Sequence, residues 1–145
     1  MNRGFEFQFV DGIAIADAAF RASGADLPQL FGSCAAALFS VITDLESIEK
    51  SVERRVDLRA EELDALLYDW LAELVYLKDV HRELYCEFRI ELQQHDGFHL
   101  VAAVGGELID PLRHHTRTDV KAVTYHRLEI KKTDSGYEAF VVLDL

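Results

Sequence analysis

The sequence predicts a two-layer α+β domain in which one mainly antiparallel sheet is covered by two helices. Runs with period-two alternation lie toward both ends of the chain, and two longer stretches with helical periodicity lie between them. Two turn sequences, each between strand-like runs, indicate antiparallel hairpins. No repeat, low-complexity tract or linker interrupts the sequence, so we expect residues 1–145 to form a single domain.

The first two strands and the first helix are predicted within residues 5–42. Residues 5–9 alternate aromatic and polar side chains, which is typical of a half-buried strand, and residues 18–23 form a second short run. Asp26 is suited to cap a helix, and Pro28 falls in the first turn of that helix. The helix has a broad apolar face made of Leu27, Leu30, Phe31, Cys34, Leu38, Val41 and Ile42.

The middle of the chain predicts an exposed strand over residues 50–58 and a second helix over residues 61–77. In that helix, leucine, valine and tryptophan recur at helical spacing. Its acidic residues concentrate near the start, where they complement the helix dipole. We expect four large side chains to be buried where the two helices pack on one face of the sheet: Trp70, Leu67, Leu38 and Phe31.

Two hairpins are predicted in the second half of the chain. The first joins residues 84–92 to residues 98–104 through Asp96-Gly97, a strong hairpin signal between strand-like runs. The second joins residues 125–131 to residues 137–143 through a short polar turn.

Charge limits the classes of function that the chain can serve. The formal net charge is −11, which argues against a general nucleic-acid binder because phosphate neutralisation requires clustered lysine and arginine. Residues 111–132 differ, with six basic residues against two acids. The rest of the chain is strongly acidic. Its charge could attract a basic partner or a cation, or it could serve only to keep the protein in solution.

Several features predict a cytoplasmic protein. No apolar stretch approaches the ~20 residues that a membrane span requires, and the first residues lack the apolar core of a signal peptide. Cys34 and Cys86 show no CxxC spacing, so we expect two reduced, buried thiols.

Two charged residues stand out because they fall in strand-like surroundings. Lys121 lies within a β-branched and aromatic run, and Asp144 follows the apolar run at 141–143. Charged groups are costly beside a core unless they are paired or bound to an ion. Asp17 lies at the edge of an earlier predicted strand. Carboxylate oxygens are ligands for Ca²⁺ or Mg²⁺, so Asp17 and Asp144 are a candidate site if the fold brings them together.

Other chemistries have weaker support in the sequence. The six histidines show neither HxxxH nor H-x-E spacing, which argues against a zinc site, and His81, His95 and His99 are interpreted as surface residues. His114 and His115 have arginine neighbours, which disfavours a cation beside them. No nucleophile elbow or phosphate-binding glycine loop is present, and Gly105-Gly106 is interpreted as a bulge or turn. A metal-dependent hydrolase would need further acids, for which Glu107 and Asp110 are the candidates.

Segments spread over nearly the whole chain carry a family resemblance. They are Leu30-Phe31, Ala35-Ala36-Ala37-Leu38-Phe39, Val41-Ile42-Thr43-Asp44, Leu66-Leu67-Tyr68-Asp69-Trp70-Leu71-Ala72-Glu73-Leu74, Gly106-Glu107, Val120-Lys121-Ala122-Val123-Thr124-Tyr125-His126 and Val142-Leu143-Asp144. Together they resemble the archeases, small accessory proteins of RtcB-type RNA-splicing ligases. The lysine-containing element and the tryptophan-containing helix are the more specific parts of this resemblance.

The resemblance implies a protein cofactor with no catalysis of its own. Archeases accelerate the loading of guanylate onto the ligase and allow it many turnovers. By position, the resemblance implies that Asp17 and Asp144 bind a divalent cation, Ca²⁺ or Mg²⁺, and that Lys121 supports activity. The expected partner is an RtcB-type RNA ligase in tRNA splicing, without sequence-specific nucleic-acid binding or membrane association.

One segment departs from the family pattern. Where archeases have Asp-His-Thr-Ala-Asp, this chain has Ile13-Ala14-Ile15-Ala16-Asp17, so only the last two residues are retained. This altered loop favours an alternative in which the protein is a non-catalytic, chaperone-like binding module. A metal-dependent hydrolase is the third alternative.

Overall fold

The computed structural model describes residues 4–11 and 17–145, and these form seven strands, two α-helices and a short 3₁₀ helix. The elements are β1 (Glu6–Val10), β2 (Asp17–Gly24), α1 (Leu27–Ile42), the 3₁₀ helix (Leu45–Ser47), β3 (Val52–Ala60), α2 (Leu63–His81), β4 (Glu83–Gln94), β5 (Phe98–Leu108), β6 (Ala122–Thr133) and β7 (Gly136–Asp144). The predicted α+β class is confirmed, and both predicted hairpins are present as β4–β5 and β6–β7.

The strands form two antiparallel sheets, where the sequence predicted one. The four-stranded sheet has the order β1-β2-β7-β6, and the three-stranded sheet has the order β3-β5-β4. The terminal parts of the chain therefore meet in the first sheet, while the second is built from the middle of the chain. The split arises because β3 pairs with β5, whereas β2 pairs with β7 on one edge and with β1 on the other.

Helix α1 is the central element of the core. Asp26 caps its N-terminus as predicted, because the Asp26 carboxylate accepts a hydrogen bond from the Gln29 backbone N–H at 2.9 Å. The helix contacts β2 and β7 of one sheet and β4 of the other, so it is buried on nearly every side. The small residues 35–37 are fully buried and permit this close approach.

Helix α2 packs against β6, β3 and β4 and closes the core on another side of α1. The Trp70 indole N–H donates a hydrogen bond to the Phe31 carbonyl oxygen at 3.0 Å, which ties the two helices together. The four side chains predicted to be buried are all inaccessible to solvent: Trp70, Leu67, Leu38 and Phe31. Both cysteines are free and buried, as predicted. Among the described residues, no helix has the length and apolar character to cross a membrane.

A bulge in the three-stranded sheet lies opposite Gly105-Gly106. Gly106 pairs with Tyr85 and Gly105 with Glu87, which leaves Cys86 as the extra residue of β4. A Cβ atom placed on Gly106 would lie 1.9 Å from the Leu84 carbonyl oxygen. The prediction of a bulge at these glycines is therefore confirmed, and the extra residue belongs to the facing strand.

A larger irregularity interrupts β6. Thr124 pairs with Val142 and Glu129 pairs with Phe140, so four residues of β6 stand opposite a single residue of β7. Arg127, inside this bulge, has a positive φ of 57°. The bulge also carries Tyr125, which stacks on Tyr68 of α2 with ring centroids 4.0 Å apart. This contact joins the edge of the four-stranded sheet to α2.

Candidate metal centre

The four-stranded sheet places Asp17 directly opposite Asp144. Asp17 is the first residue of β2 and Asp144 is the last residue of β7, and the two are Cα partners in the antiparallel register. Directly opposed residues have Cβ atoms ~4.5–5.5 Å apart, a separation that one ion can bridge between two carboxylates. The structure therefore brings together the two acids that the sequence singled out.

Both carboxylates belong to the face of the sheet that points away from the helices. Side chains alternate along a strand, and Phe20 and Leu143 face the main core. Asp17 and Asp144 have the opposite parity, which they share with Ala19 and Val142 of a small separate cluster. Both aspartates are partly exposed. A ligand can therefore approach the pair from the open side of the sheet.

The backbones of Lys121 and Asp144 are joined by a hydrogen bond. The Lys121 N–H donates to the Asp144 carbonyl oxygen at 2.8 Å, which fixes the chain just before β6 against the end of β7. The interpretation of Lys121 as a costly residue within a strand is wrong, since it precedes β6 and its side chain is exposed. Within the described ranges, no carboxylate lies within 4 Å of the Lys121 ammonium group.

The donor set fits a hard divalent cation that keeps some ligands from outside the chain. Two aspartates supply oxygen ligands, and the part of the chain that the structure describes contains no group of three or more His, Cys, Asp or Glu residues able to hold a metal. Mg²⁺ in proteins is often held by one or two carboxylates together with water and substrate phosphates. The pair is thus suited to an ion that is shared with a phosphate. Residues 13–15, where the sequence departs from the family pattern, lie outside the described residues.

The further acids considered for a hydrolase have other partners. The buried Glu107 carboxylate accepts hydrogen bonds from the Arg113 guanidinium, from the Glu49 backbone N–H at 2.6 Å and from His114 Nε2 at 2.9 Å. The Asp110 backbone N–H donates to His114 Nδ1 at 2.8 Å, which leaves Nε2 as the nitrogen that donates to Glu107. Glu107 and Asp110 thus anchor the segment that leads to Lys121.

The burial of His114 has no signal in the sequence. Its neighbours Arg113 and His115 are exposed, and two basic neighbours are typical of a surface position. The imidazole is nevertheless inaccessible, because Glu107 and the Asp110 backbone satisfy both of its nitrogens. In the sequence, only Gly106-Glu107, one of the segments that carry the family resemblance, indicates the part of the chain around Glu107 and His114.

Stability should depend on pH through Glu107. The hydrogen bond from Arg113, reinforced by those from Glu49 and His114, lowers the pKa of the Glu107 carboxyl from 4.5 to about 2. Between these values the unfolded chain binds more protons than the folded chain, so the free energy of unfolding falls as pH falls from 4.5 to 2. Glu107→Gln should lower stability at pH 7 by about 1–3 kcal/mol and should reduce this acid dependence. Urea unfolding from pH 7 to pH 2 measures both effects.

The control for this prediction is Glu91→Gln, which makes the same chemical change at an exposed position on β4. The control variant should retain the pH profile of the wild-type protein. If Glu107→Gln also retained it, the Glu107 network would not be a source of the acid dependence.

The structure is that of a small α+β domain with two opposed carboxylates on the open face of one sheet. Comparison with known proteins gives the family. Residues 7–145 match the model of the Archease protein family (MTH1598/TM1083). The chain is 42% identical over 144 residues to the protein archease of Methanothermobacter thermautotrophicus, with 99% of each chain covered. The protein therefore belongs to the archease family.

Solved structures agree with this assignment. The solution structure of Methanobacterium thermoautotrophicum protein 1598 matches with a TM-score of 0.80 at 40% identity, covering 99% of each chain. The crystal structure of an archease, possible chaperone, from Thermotoga maritima matches with a TM-score of 0.62, covering 91% of this chain and 93% of that one. At 17% identity, the second match supports the fold alone.

Proposed function

We propose that this protein is an accessory factor that activates an RtcB-type RNA ligase by promoting guanylylation of the ligase, and that it does so with a divalent cation held by Asp17 and Asp144. The observation that carries the proposal is the direct opposition of these two aspartates in the β2–β7 register. Membership of the archease family supports the role of an accessory protein.

The chain itself supplies the binding geometry. Asp17 and Asp144 would each offer a carboxylate oxygen from adjacent strands, and the rigid sheet fixes their separation. A divalent cation at this position would bring positive charge to a nucleotide phosphate and stabilise charge that develops there. Because the site is on the open face of the sheet, the bound phosphate can belong to a partner protein.

Lys121 would add a second positive charge near Asp144, to which its backbone is hydrogen bonded. The hydrogen bond from its backbone N–H to Asp144 fixes where the side chain begins, and exposure leaves the ammonium group able to reach a partner. A lysine close to a bound cation repels that cation. We therefore expect Lys121 to promote activation of the ligase and not to increase the affinity for the metal.

The test measures metal binding and ligase activation in the same variants. Wild-type protein should gain thermal stability as the concentration of Ca²⁺ or Mg²⁺ rises, because the ion binds the folded chain. It should also speed guanylylation of the cognate ligase by GTP. Asp144→Asn should lose most of the metal-dependent stabilisation and all activation while keeping its circular dichroism spectrum. Lys121→Ala should lose activation and keep metal-dependent stabilisation.

The matched control is Asp134→Asn, the same substitution in the exposed β6–β7 turn. It should behave as wild type in both measurements. Full activation by Asp144→Asn would reject the role of the cation. Turnover of GTP or RNA by the isolated protein, lost in Asp17→Ala, would instead favour a metal-dependent hydrolase.

A further inference from the structure

Two arginines from different strands converge on Phe140 at the open face of the four-stranded sheet. The guanidinium carbon of Arg127 lies 4.6 Å from the centroid of the Phe140 ring, and that of Arg21 lies 5.4 Å from the same centroid. Phe140 is only 8% exposed, because these side chains cover it. We call Arg21, Arg127 and Phe140 the arginine pair site. Cation–π contact with the ring holds both guanidinium groups in place.

The bulge in β6 is what brings Arg127 to this position. The bulge places three extra residues between Thr124 and Glu129, and Arg127 adopts a left-handed φ of 57° within it. For a residue with a side chain, this conformation costs roughly 1 kcal/mol or more relative to an ordinary one. A glycine would avoid the cost, yet the chain has an arginine there. Conformational strain of this kind concentrates at functional sites.

Among the described residues, neither arginine of the arginine pair site forms an ion pair. The site borders a cleft of about 420 Å³ that is also lined by Lys131, Glu129 and Glu138. Over residues 4–11 and 17–145, no carboxylate lies within 4 Å of the Arg21, Arg127 or Lys131 cations. This differs from Arg54, Arg89, Arg113 and Arg117, each of which forms an ion pair with a glutamate or aspartate.

The geometry suits an oxyanion. Because both guanidinium groups contact one ring, their carbons lie within roughly 10 Å of each other, and like charges at this distance repel. An anion between them would remove the repulsion and accept charge-assisted hydrogen bonds, which arginine forms in bidentate geometry with phosphate. Phe140 is only 8% exposed, which leaves too little of its ring open for a base to stack, so the recognised group is the anion itself.

We propose that the arginine pair site binds a phosphoryl group, carried either by a nucleotide polyphosphate or by the backbone of a single RNA strand. The site lies on the same sheet face as Asp17 and Asp144. Phe140 and Asp144 are four positions apart along β7, which corresponds to ~13 Å. The proposal concerns a second position on that face and does not depend on the cation or on the ligase.

The experiment titrates the full chain with three probes in buffer that contains EDTA, so that a divalent ion cannot contribute. The probes are sodium tripolyphosphate, GTP and a fluorescein-labelled 12-nucleotide single-stranded RNA, followed by calorimetry or fluorescence anisotropy. Arg21→Gln and Arg127→Gly should each raise the Kd of the bound probe about tenfold or more. Glycine at position 127 keeps the left-handed backbone, so that variant removes the guanidinium without adding strain.

Two controls define the specificity of the result. Arg59→Gln removes an exposed arginine from β3 in the other sheet and should leave the Kd unchanged. Arg127→Lys retains the charge and should recover part of the affinity that Arg127→Gly loses. If tripolyphosphate and GTP bind with equal Kd values, both lower than that of RNA, the proposal is supported and the ligand is identified as a polyphosphate.

Tighter binding of RNA, with affinity that falls steeply as salt rises, would support the proposal and identify a strand backbone. The proposal is overturned if the wild-type protein binds none of the three probes. It is also overturned if folded Arg21→Gln and Arg127→Gly bind them as well as Arg59→Gln does. Since neither the ligase nor a divalent ion is present, these outcomes are independent of those that test the proposed function.

Discussion

Replacing Trp70 with alanine is expected to lower the free energy of unfolding by about 3–5 kcal/mol. The indole is fully buried, and it packs in a T-shaped arrangement with the Phe88 ring of β4 at a centroid distance of 6.3 Å. Its removal leaves a cavity that rigid neighbours cannot fill, and it also removes the hydrogen bond to the Phe31 carbonyl oxygen. Urea unfolding followed by circular dichroism measures the change.

Tyr76→Ala is the matched control, since it truncates a large aromatic residue of the same helix that is 57% exposed. It should change stability by less than about 0.5 kcal/mol. An unchanged unfolding midpoint in Trp70→Ala would contradict the position of Trp70 at the helix interface.

Gly106→Ala should destabilise the protein by about 2–4 kcal/mol, although it adds only one methyl group. The new Cβ would lie 1.9 Å from the Leu84 carbonyl oxygen, which is a backbone atom of the facing strand. The clash can be relieved only if β4 and β5 separate beside the bulge at Cys86, which would break ladder hydrogen bonds in the sheet. Thermal and urea unfolding of the purified variant test this expectation.

The adjacent glycine provides the control. A Cβ atom on Gly105 would meet only the flexible side chain of Lys50, at 3.1 Å, and that side chain can move aside. Gly105→Ala should therefore cost less than about 1 kcal/mol. Equal stability of Gly106→Ala and Gly105→Ala would contradict the close approach of Gly106 to the Leu84 carbonyl oxygen.

The elements of the fold were predictable because each has a local cause. The Asp26 cap, the apolar face of α1 and the turn at Asp96-Gly97 depend on residues within a few positions of one another. The partition of the strands into two sheets was not predictable, since alternation identifies the buried face of a strand without identifying its partner. The β6 bulge was missed for a similar reason: it adds residues without changing the composition of a strand-like run.

The candidate site was predictable in part. Asp17 and Asp144 were selected as carboxylates at strand edges and by family resemblance, and the register places them opposite each other. In the sequence, Lys121 falls in strand-like surroundings because Val120 is as apolar as the residues of β6. In the structure, Val120 is buried in a loop and β6 begins at Ala122. The convergence of Arg21 and Arg127 on Phe140 had no signal in sequence, since it depends on three strands and on one unusual backbone conformation.

The β2–β7 pairing has a consequence for the order of events during folding. Asp17 and Asp144 are 127 positions apart, and the strands that carry them meet only after a loop of that length has closed. Contacts between distant parts of a chain are slow to form, whereas the β4–β5 and β6–β7 hairpins close over short loops. The two carboxylates are therefore far apart in any intermediate that contains the hairpins but lacks the β2–β7 pair. The two carboxylates come together only when β2 pairs with β7, which is the step that completes the four-stranded sheet.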